Sequence, residues 1–349
     1  SGESWIRMAN PHADYHEIQW YNDNEFLLGN DGGVHSVNLN AVSRSTSLNN
    51  GLNITQFYAG HYAPLGNSIV GGTQDNGTRY SNNGAEMFSR IYGGDGSYCH
   101  INQQDPSIRY VSYQNLNMFR QEGGFNYPIS NSIRNQVGGD NGVWFINPFT
   151  VNDLDGDQVF VPTKREIYRS TNTGTNWSKL TADLIGDSYC VGLSNDENPI
   201  AYIGGTGSRL YRVKNAATAE VGNEVNMFTT KYPLFLSSTI GCIDVDPTDR
   251  STIYVGMTNY STRSRIWKIE NADSGEAVYY DISNNLPSNL PVNWVEVDPE
   301  NPAHIYLATD YGLYSSLNGG ASWQKDYKIP NVPIDMIKLR SFDRKLFIF

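Results

Sequence analysis

One pattern runs through the chain and limits it to one kind of architecture. Short runs of Ile, Val, Tyr, Phe and Trp are separated by clusters of Gly, Asn, Asp and Pro. Such runs read as strands bounded by turns. The clearest copy starts with Trp294-Val-Glu-Val-Asp-Pro299, a polar turn and His304-Ile-Tyr-Leu-Ala308. Tyr311-Gly-Leu-Tyr-Ser315 and Ser316-Leu-Asn-Gly-Gly-Ala-Ser-Trp323 complete it. That is three strands, three turns and the start of a fourth strand.

The same order recurs upstream. It starts at Cys242-Ile-Asp-Val-Asp-Pro247, at Cys190-Val-Gly-Leu193, at Phe145-Ile-Asn-Pro148 and at Cys99-His-Ile-Asn102. Weaker copies start near His16 and Phe57. About seven units of roughly 40 to 50 residues, with four strands each, are the signature of a β-propeller. The expected fold is therefore all-β, a propeller of about seven four-stranded blades forming one domain over residues 1–349. The tail from Pro333 is expected to pair with Glu3 to Met8 and close the ring, because an open blade leaves strand edges unpaired. Helical periodicity is nearly absent; residues 216–225 are the one short-helix candidate, and a loop suits them equally.

Composition narrows the function classes. Acidic residues number 36 against 25 basic, a formal charge of −11, which argues against a nucleic-acid binder that needs a basic stripe. No apolar run approaches the ~20 residues of a membrane helix. The 3 cysteines do not make a disulfide framework. Cys99, Cys190 and Cys242 fall at or near the start of first strands, and they read as buried free thiols at equivalent positions. The chain opens at Ser1-Gly2-Glu3-Ser4-Trp5 and stops within Leu346-Phe347-Ile348-Phe349. The expectation is a piece of a longer secreted protein.

Two segments carry a resemblance. Ser170-Thr-Asn-Thr-Gly-Thr-Asn-Trp177 and Ser316-Leu-Asn-Gly-Gly-Ala-Ser-Trp323 resemble the Asp-box of BNR-repeat propellers, Ser-x-Asp-x-Gly-x-x-Trp, with Asn172 and Asn318 in place of Asp. With Gly29-Asn-Asp-Gly-Gly-Val34, Gly71 to Thr78 and Gly93-Gly-Asp-Gly96, the chain looks like the sortilin-like and xyloglucanase-like propellers. It looks most like those of secreted Bacteroidetes proteins that carry sorting tags for type IX secretion. The resemblance covers nearly the whole chain and implies a propeller, but the superfamily hosts enzymes, receptors and surface proteins alike. In the box itself, Ser170, Asn172, Gly174 and Trp177, like Ser316, Asn318, Gly320 and Trp323, read as turn architecture.

Several groups of side chains are candidates for chemistry. Asp31, Asp75, Asp95 and Asp140 each sit in a Gly-rich turn. In xyloglucanase-like enzymes an Asp-Gly-Gly turn carries a catalytic acid, and Asp31-Gly32-Gly33 resembles it; Asp75 or Asp95 would be the second carboxylate. Those enzymes draw that second group from another propeller, and this chain holds only one. A sialidase reading lacks its Arg-Ile-Pro signature, since Trp5-Ile-Arg-Met8 does not match. His12, Asp14 and His16 alternate as a strand would, so they are a candidate transition-metal set. Asp153, Asp155 and Asp157 are a candidate oxygen-rich Ca²⁺ set. Tyr113, Gln114, Asn259, Tyr260 and Asp310 lie in loops after second strands and suit ligand binding on an open face.

The expected function is a non-enzymatic secreted or cell-surface module that binds a glycan or a protein. A glycoside hydrolase, or an inactive relative of one, is the alternative. No cofactor is required beyond a candidate Ca²⁺, and a place in a larger surface assembly is a further expectation.

Overall fold

The repeats fold as seven four-stranded antiparallel sheets and a terminal hairpin. The computed structural model describes residues 8, 11–52, 54–84, 87–227, 231, 238–260 and 264–349. The first sheet holds β1 (Tyr15–Asn22), β2 (Glu25–Asn30), β3 (Gly33–Asn38) and β4 (Ser45–Ser47). The second holds β5 (Phe57–Tyr62), β6 (Ile69–Thr73), β7 (Gly77–Ser81) and β8 (Ser89–Tyr92). The third holds β9 (Gly96–Ile101), β10 (Arg109–Tyr113), β11 (Asn117–Glu122) and β12 (Phe125–Pro128). The fourth holds β13 (Thr150–Asn152), β14 (Asp155–Pro162), β15 (Ile167–Ser170) and β16 (Ser178–Lys179). The fifth holds β17 (Ser188–Leu193), β18 (Ala201–Gly205), β19 (Leu210–Val213) and β20 (Val225–Asn226). The sixth holds β21 (Ile240–Val245), β22 (Ile253–Met257), β23 (Ile266–Glu270) and β24 (Val278–Asp281). The seventh holds β25 (Val292–Val297), β26 (Ile305–Thr309), β27 (Gly312–Ser316) and β28 (Gln324–Lys325), and the hairpin is β29 (Ile337–Arg340) with β30 (Lys345–Ile348). Within each four-stranded sheet the strands pair in chain order.

The core lies between sheets, like mortar between radial walls. One apolar cluster joins the fifth sheet to the sixth through Tyr202, Leu210, Ile243 and Trp267. Another joins the sixth to the seventh through Tyr254, Ile266, Val295 and Trp323. Similar clusters join the second, third, fourth and fifth sheets in turn. The middle strands β6, β18 and β22 are buried along their whole length, because both faces meet a neighbouring sheet. That close approach needs glycine at Gly72, where a Cβ would lie 1.9 Å from the Ser97 carbonyl of the next sheet.

The ring closes through the hairpin. Ile334 and Ile337 pack against Ala308 and Leu313 of the seventh sheet. On the other side the Tyr62 hydroxyl donates to the Leu339 carbonyl at 2.9 Å, and Arg340 donates to the carbonyls of Ala63 at 3.0 Å and Gly66 at 2.8 Å. The tail thus closes the ring as its own hairpin between β25 and β5; of the expected partner segment, Glu3 to Met8, residues 3–7 lie outside the described residues. The first sheet behaves differently. Its apolar cluster, Phe26, Leu28 and Val37, stays within the sheet, and β1 is exposed along its whole length. It meets the ring at its β2–β3 turn, where the Asn76 amide donates to the Asp31 carbonyl at 2.9 Å.

Of the two readings of residues 216–225, the loop holds: they carry no helix, with positive φ at Asn215 and Gly222, and the α-helix among the described residues is α1 (Asn131–Gln136), which buries only Ile133. One expectation is corrected. The thiols are free, but their stations differ. Cys190 and Cys242 stand opposite Gly204 and Gly256, whereas Cys99 stands one step further on, opposite Val111. Burial pushes the Cys99 and Cys190 thiols up to about 12, so both are inert apolar groups.

Candidate functional site

The first strands of the second to seventh sheets, with β29, surround a central cavity of about 400 Å³. In an antiparallel sheet the turn after the second strand returns to the end at which the first strand began. These turns, and the links from one sheet to the next, therefore gather at one end of the cavity, here called the rim. The turns after first and third strands gather at the opposite, far end.

The rim collects most of the candidates that the turn chemistry marked. Asp75 N donates to Asp95 Oδ1 at 2.9 Å, and Asp95 N donates to Gln114 Oε1 at 2.8 Å. The Asp75 carboxyl lies in hydrogen-bond range of Asp31; burial, then Asp95 and Asp31, push its proton affinity up. Asp31 in turn bonds His16. Further round, Asp310 accepts from the Tyr260 hydroxyl and, at 2.8 Å, from the Asn293 amide. Asp335, which the sequence reading missed, is pushed up to about 6 by burial and by Asp310. Tyr58 links the two groups: burial, then Asp95, Asp75 and Asp335, raise its phenol. Tyr113 stacks on Tyr92 with centroids 5.3 Å apart, and Asn259 Oδ1 accepts from Thr239 N at 2.5 Å.

Neither candidate metal set gathers as expected. His12 to Ala13 form a bend and Asp14 has φ 53°, so the alternation of an extended strand is broken before β1 begins. His12 Nε2 faces the Asp75 carbonyl at 3.0 Å while His16 reaches Asp31. Asp153, Asp155 and Asp157 also part. Asp155 accepts from Gln158 Nε2 at 2.7 Å and from Asp157 N at 3.2 Å. Asp153 stands on the β13–β14 turn and lines the cavity.

The two boxes fold alike at the far end. Ser170 Oγ accepts from Gly174 N at 2.9 Å and donates to Asn172 Oδ1 at 3.0 Å; Ser316 does the same with Gly320 and Asn318, both at 2.9 Å. Gly174 and Gly320 take φ of 80° and 87°, which glycine allows. Trp177 Nε1 donates to the Ile129 carbonyl and Trp323 Nε1 to the Ile282 carbonyl, each in the preceding sheet. A third copy escaped the sequence reading. Ser81 Oγ donates to Asn83 Oδ1 at 2.7 Å, and Phe88 occupies the tryptophan position, against Phe57.

The far half of the cavity holds a charged layer that no turn signal announced. His61, His100, Thr150, Gly192, Asp244, Glu296 and Lys338 stand opposite Val70, Tyr110, Phe160, Tyr202, Tyr254, Tyr306 and Phe347. They are one register position, repeated at seven stations. The Lys338 ammonium lies 3.5 Å from Glu296 Oε2 and 4.6 Å from the centre of the Trp294 ring. Burial works against the lysine charge, yet Glu296, Asp244 and Asp153 raise its proton affinity. Burial and the Glu296 charge push the Asp244 carboxyl up to about 7. Burial and the adjacent His100 hold the His61 imidazole well below its usual range, so it is neutral. The signal for this layer was the third residue of Cys242-Ile-Asp and Trp294-Val-Glu, which reads as an ordinary strand position until the ring closes.

No protein-family model and no curated protein matches the chain. Solved structures do. The GH74 xyloglucanase of Xanthomonas campestris is 12% identical with a TM-score of 0.58, over 94% of this chain and 55% of that one, so this chain spans about half of that enzyme's length. YCF48 of Cyanidioschyzon merolae is 15% identical at a TM-score of 0.58, over 82% of this chain and 89% of that one. Sqt1 of Saccharomyces cerevisiae is 11% identical at 0.58, over 84% and 80%. At these identities the likeness establishes the β-propeller fold and nothing finer.

Proposed function

We propose that this chain is a non-enzymatic binding module of a secreted or cell-surface protein, and that it takes a glycan or a protein segment at the rim. One observation carries the reading. The carboxylates of Asp31, Asp75, Asp95, Asp310 and Asp335 share one arc of the rim with Gln114, Asn293, Tyr58 and Tyr260. Such an arc accepts hydrogen bonds from hydroxyl-rich or basic ligands, and its phenols offer stacking faces. The Ser-x-Asn turns support kinship with the Asp-box propellers, from which the secreted setting and a place in a larger surface assembly follow as part of the same proposal.

A glycoside hydrolase, or an inactive relative, is the second reading. It draws on Asp75, whose raised proton affinity suits a general acid. Such an enzyme needs two carboxyls about 5 to 5.5 Å apart for retention or about 6.5 to 9.5 Å apart for inversion.

A glycan-array screen with a hydrolysis readout on the hits separates the two. Binding without product, weakened about tenfold or more by Asp310→Asn, is the expected result. Product release that disappears in Asp31→Asn would reverse the order of the readings. A blank array would direct the search to a protein ligand.

A further inference from the structure

We propose that His61, His100 and Asp153, at the far end of the cavity, bind a divalent first-row transition metal, with zinc as the best-fitting ion. The three come from adjacent stations of the ring, and their ligand atoms lie within 4.8 Å of one another. The imidazole rings are 3.7 Å apart, centre to centre. Two imidazoles and one carboxylate are the donor set of zinc and its neighbours, not of the oxygen-seeking Ca²⁺ or Mg²⁺.

A second, independent observation points to a ligand. His100 is only 8% exposed, and its Nε2 makes no hydrogen bond. Its nearest partner is Asp153 Oδ1, an ion-pair contact at 3.3 Å that falls short of a hydrogen bond, and a buried nitrogen without a full hydrogen bond is stabilised by a ligand. His61 is oriented from behind. Its Nδ1 faces the Tyr62 carbonyl at 3.1 Å, and Gln103 Nε2 donates to that same carbonyl at 2.9 Å. Ile101 N and Gln103 Nε2 also lie 3.4 Å from His61 Nδ1, so Nδ1 is the anchored edge of the ring, and Nε2 is the ligand atom in the tautomer whose Nδ1–H donates to the Tyr62 carbonyl.

The surroundings favour a cation. Asp153, Asp244 and Glu296 face the cavity with Lys338 as the opposing charge in their layer. With bonds of about 2.0 to 2.1 Å, tetrahedral ligands lie about 3.3 Å apart, so loading must draw the three together. Asp153 is free to move, because its side chain is 59% exposed to the open cavity. Three protein ligands leave a coordination position facing the cavity for water.

The test uses Co²⁺ and Zn²⁺ salts alone on the whole chain after chelation. The expected result is one ion per chain with visible Co²⁺ absorption bands. His100→Gln and Asp153→Asn should each weaken binding by at least about tenfold, while the double variant His12→Gln, His16→Gln leaves it unchanged. No binding, binding that survives both single variants, or binding that disappears in the double variant overturns the site. Should His100→Gln fail to fold, Asp153→Asn decides alone, since its carboxylate faces the open cavity.

Discussion

The two ends of the central cavity come from different parts of the same repeat, and they hold their charges differently. At the rim, carboxylates sit on turns and inter-sheet links and accept bonds from a backbone amide, Asn and Tyr. At the far end, charges sit on the first strands themselves, most of them opposite an aromatic side chain, and depend on one another. Lys338 answers Glu296, and Glu296 also accepts from Leu339 N at 2.9 Å across the junction with the hairpin. Turn carboxylates are cheap to place and easy to change, so specificity can evolve at the rim. The far layer is tied to ring closure.

The largest effect should follow from breaking the far layer. Lys338→Ala leaves Asp244 and Glu296 facing each other without their cation. Removing one partner of a fully buried charge group typically costs about 3–5 kcal/mol, and because Lys338 and Glu296 are half-buried at the cavity the loss should be about 1–3 kcal/mol. Urea unfolding should show a loss of that order, and adding Glu296→Gln should recover part of it. If Lys338→Ala is neutral, the far layer is no more coupled than the rim.

The pH dependence sharpens the contrast. Asp244 is held up near 7 and Asp335 near 6, both by burial first and then by a neighbouring carboxylate. A carboxyl raised above its ordinary 3.8 holds its proton more tightly in the folded state. It therefore stabilises fully below about pH 4, and that contribution is lost as pH rises through the folded value, with a slope of up to about 1.4 kcal/mol per pH unit. Stability should fall between pH 4 and 7. Asp244→Asn should flatten the fall up to pH 7, and Asp335→Asn only its part below about pH 6. Urea midpoints across that range measure both, and a fall unchanged in Asp244→Asn removes the far layer as its cause.

What could be read beforehand divides along the same line. The repeat, the strand order and the rim carboxylates were legible, because Gly, Asn and Asp mark turns and turn positions follow from the topology. His61, His100, Asp244, Glu296 and Lys338 were not. Each lies in a strand whose alternation gives no sign of what it faces, and Tyr62, beside His61, meets Leu339 of the hairpin, 277 residues further along the chain, only when the ring closes. The metal sets failed for local reasons: a left-handed Asp14 and a turn that sends Asp153 away from Asp155. The third box was hidden because Phe88 replaces tryptophan and Ala85 replaces the glycine of the box, although the Ser81–Asn83 bond is the same. Ser316→Ala removes its own copy of that bond together with the one from Gly320 N and should cost about 1–2 kcal/mol. Ser81→Ala should cost the same in thermal unfolding; no loss there would make the third copy a coincidence of spacing.

The smallest effect belongs to the rim, and its sign is informative. Asp75 stands among Asp95, Asp31 and Asp14, all of which raise its proton affinity after burial does. Asp75→Asn removes a repelled charge and keeps the Asp75 N–H that Asp95 accepts. Because the group is largely solvated, screening limits the gain to less than about 0.5 kcal/mol at pH 7, and below about pH 4 the gain vanishes. Salt should shrink it further, since exposed charges are screened within about 10 Å at 0.1 M. A small, salt-sensitive stabilisation therefore identifies the rim as an acidic surface whose carboxylates are kept for a ligand. A clear loss of stability would mean that Asp75 ties the first sheet to the ring, and the rim would then be as structural as the far layer.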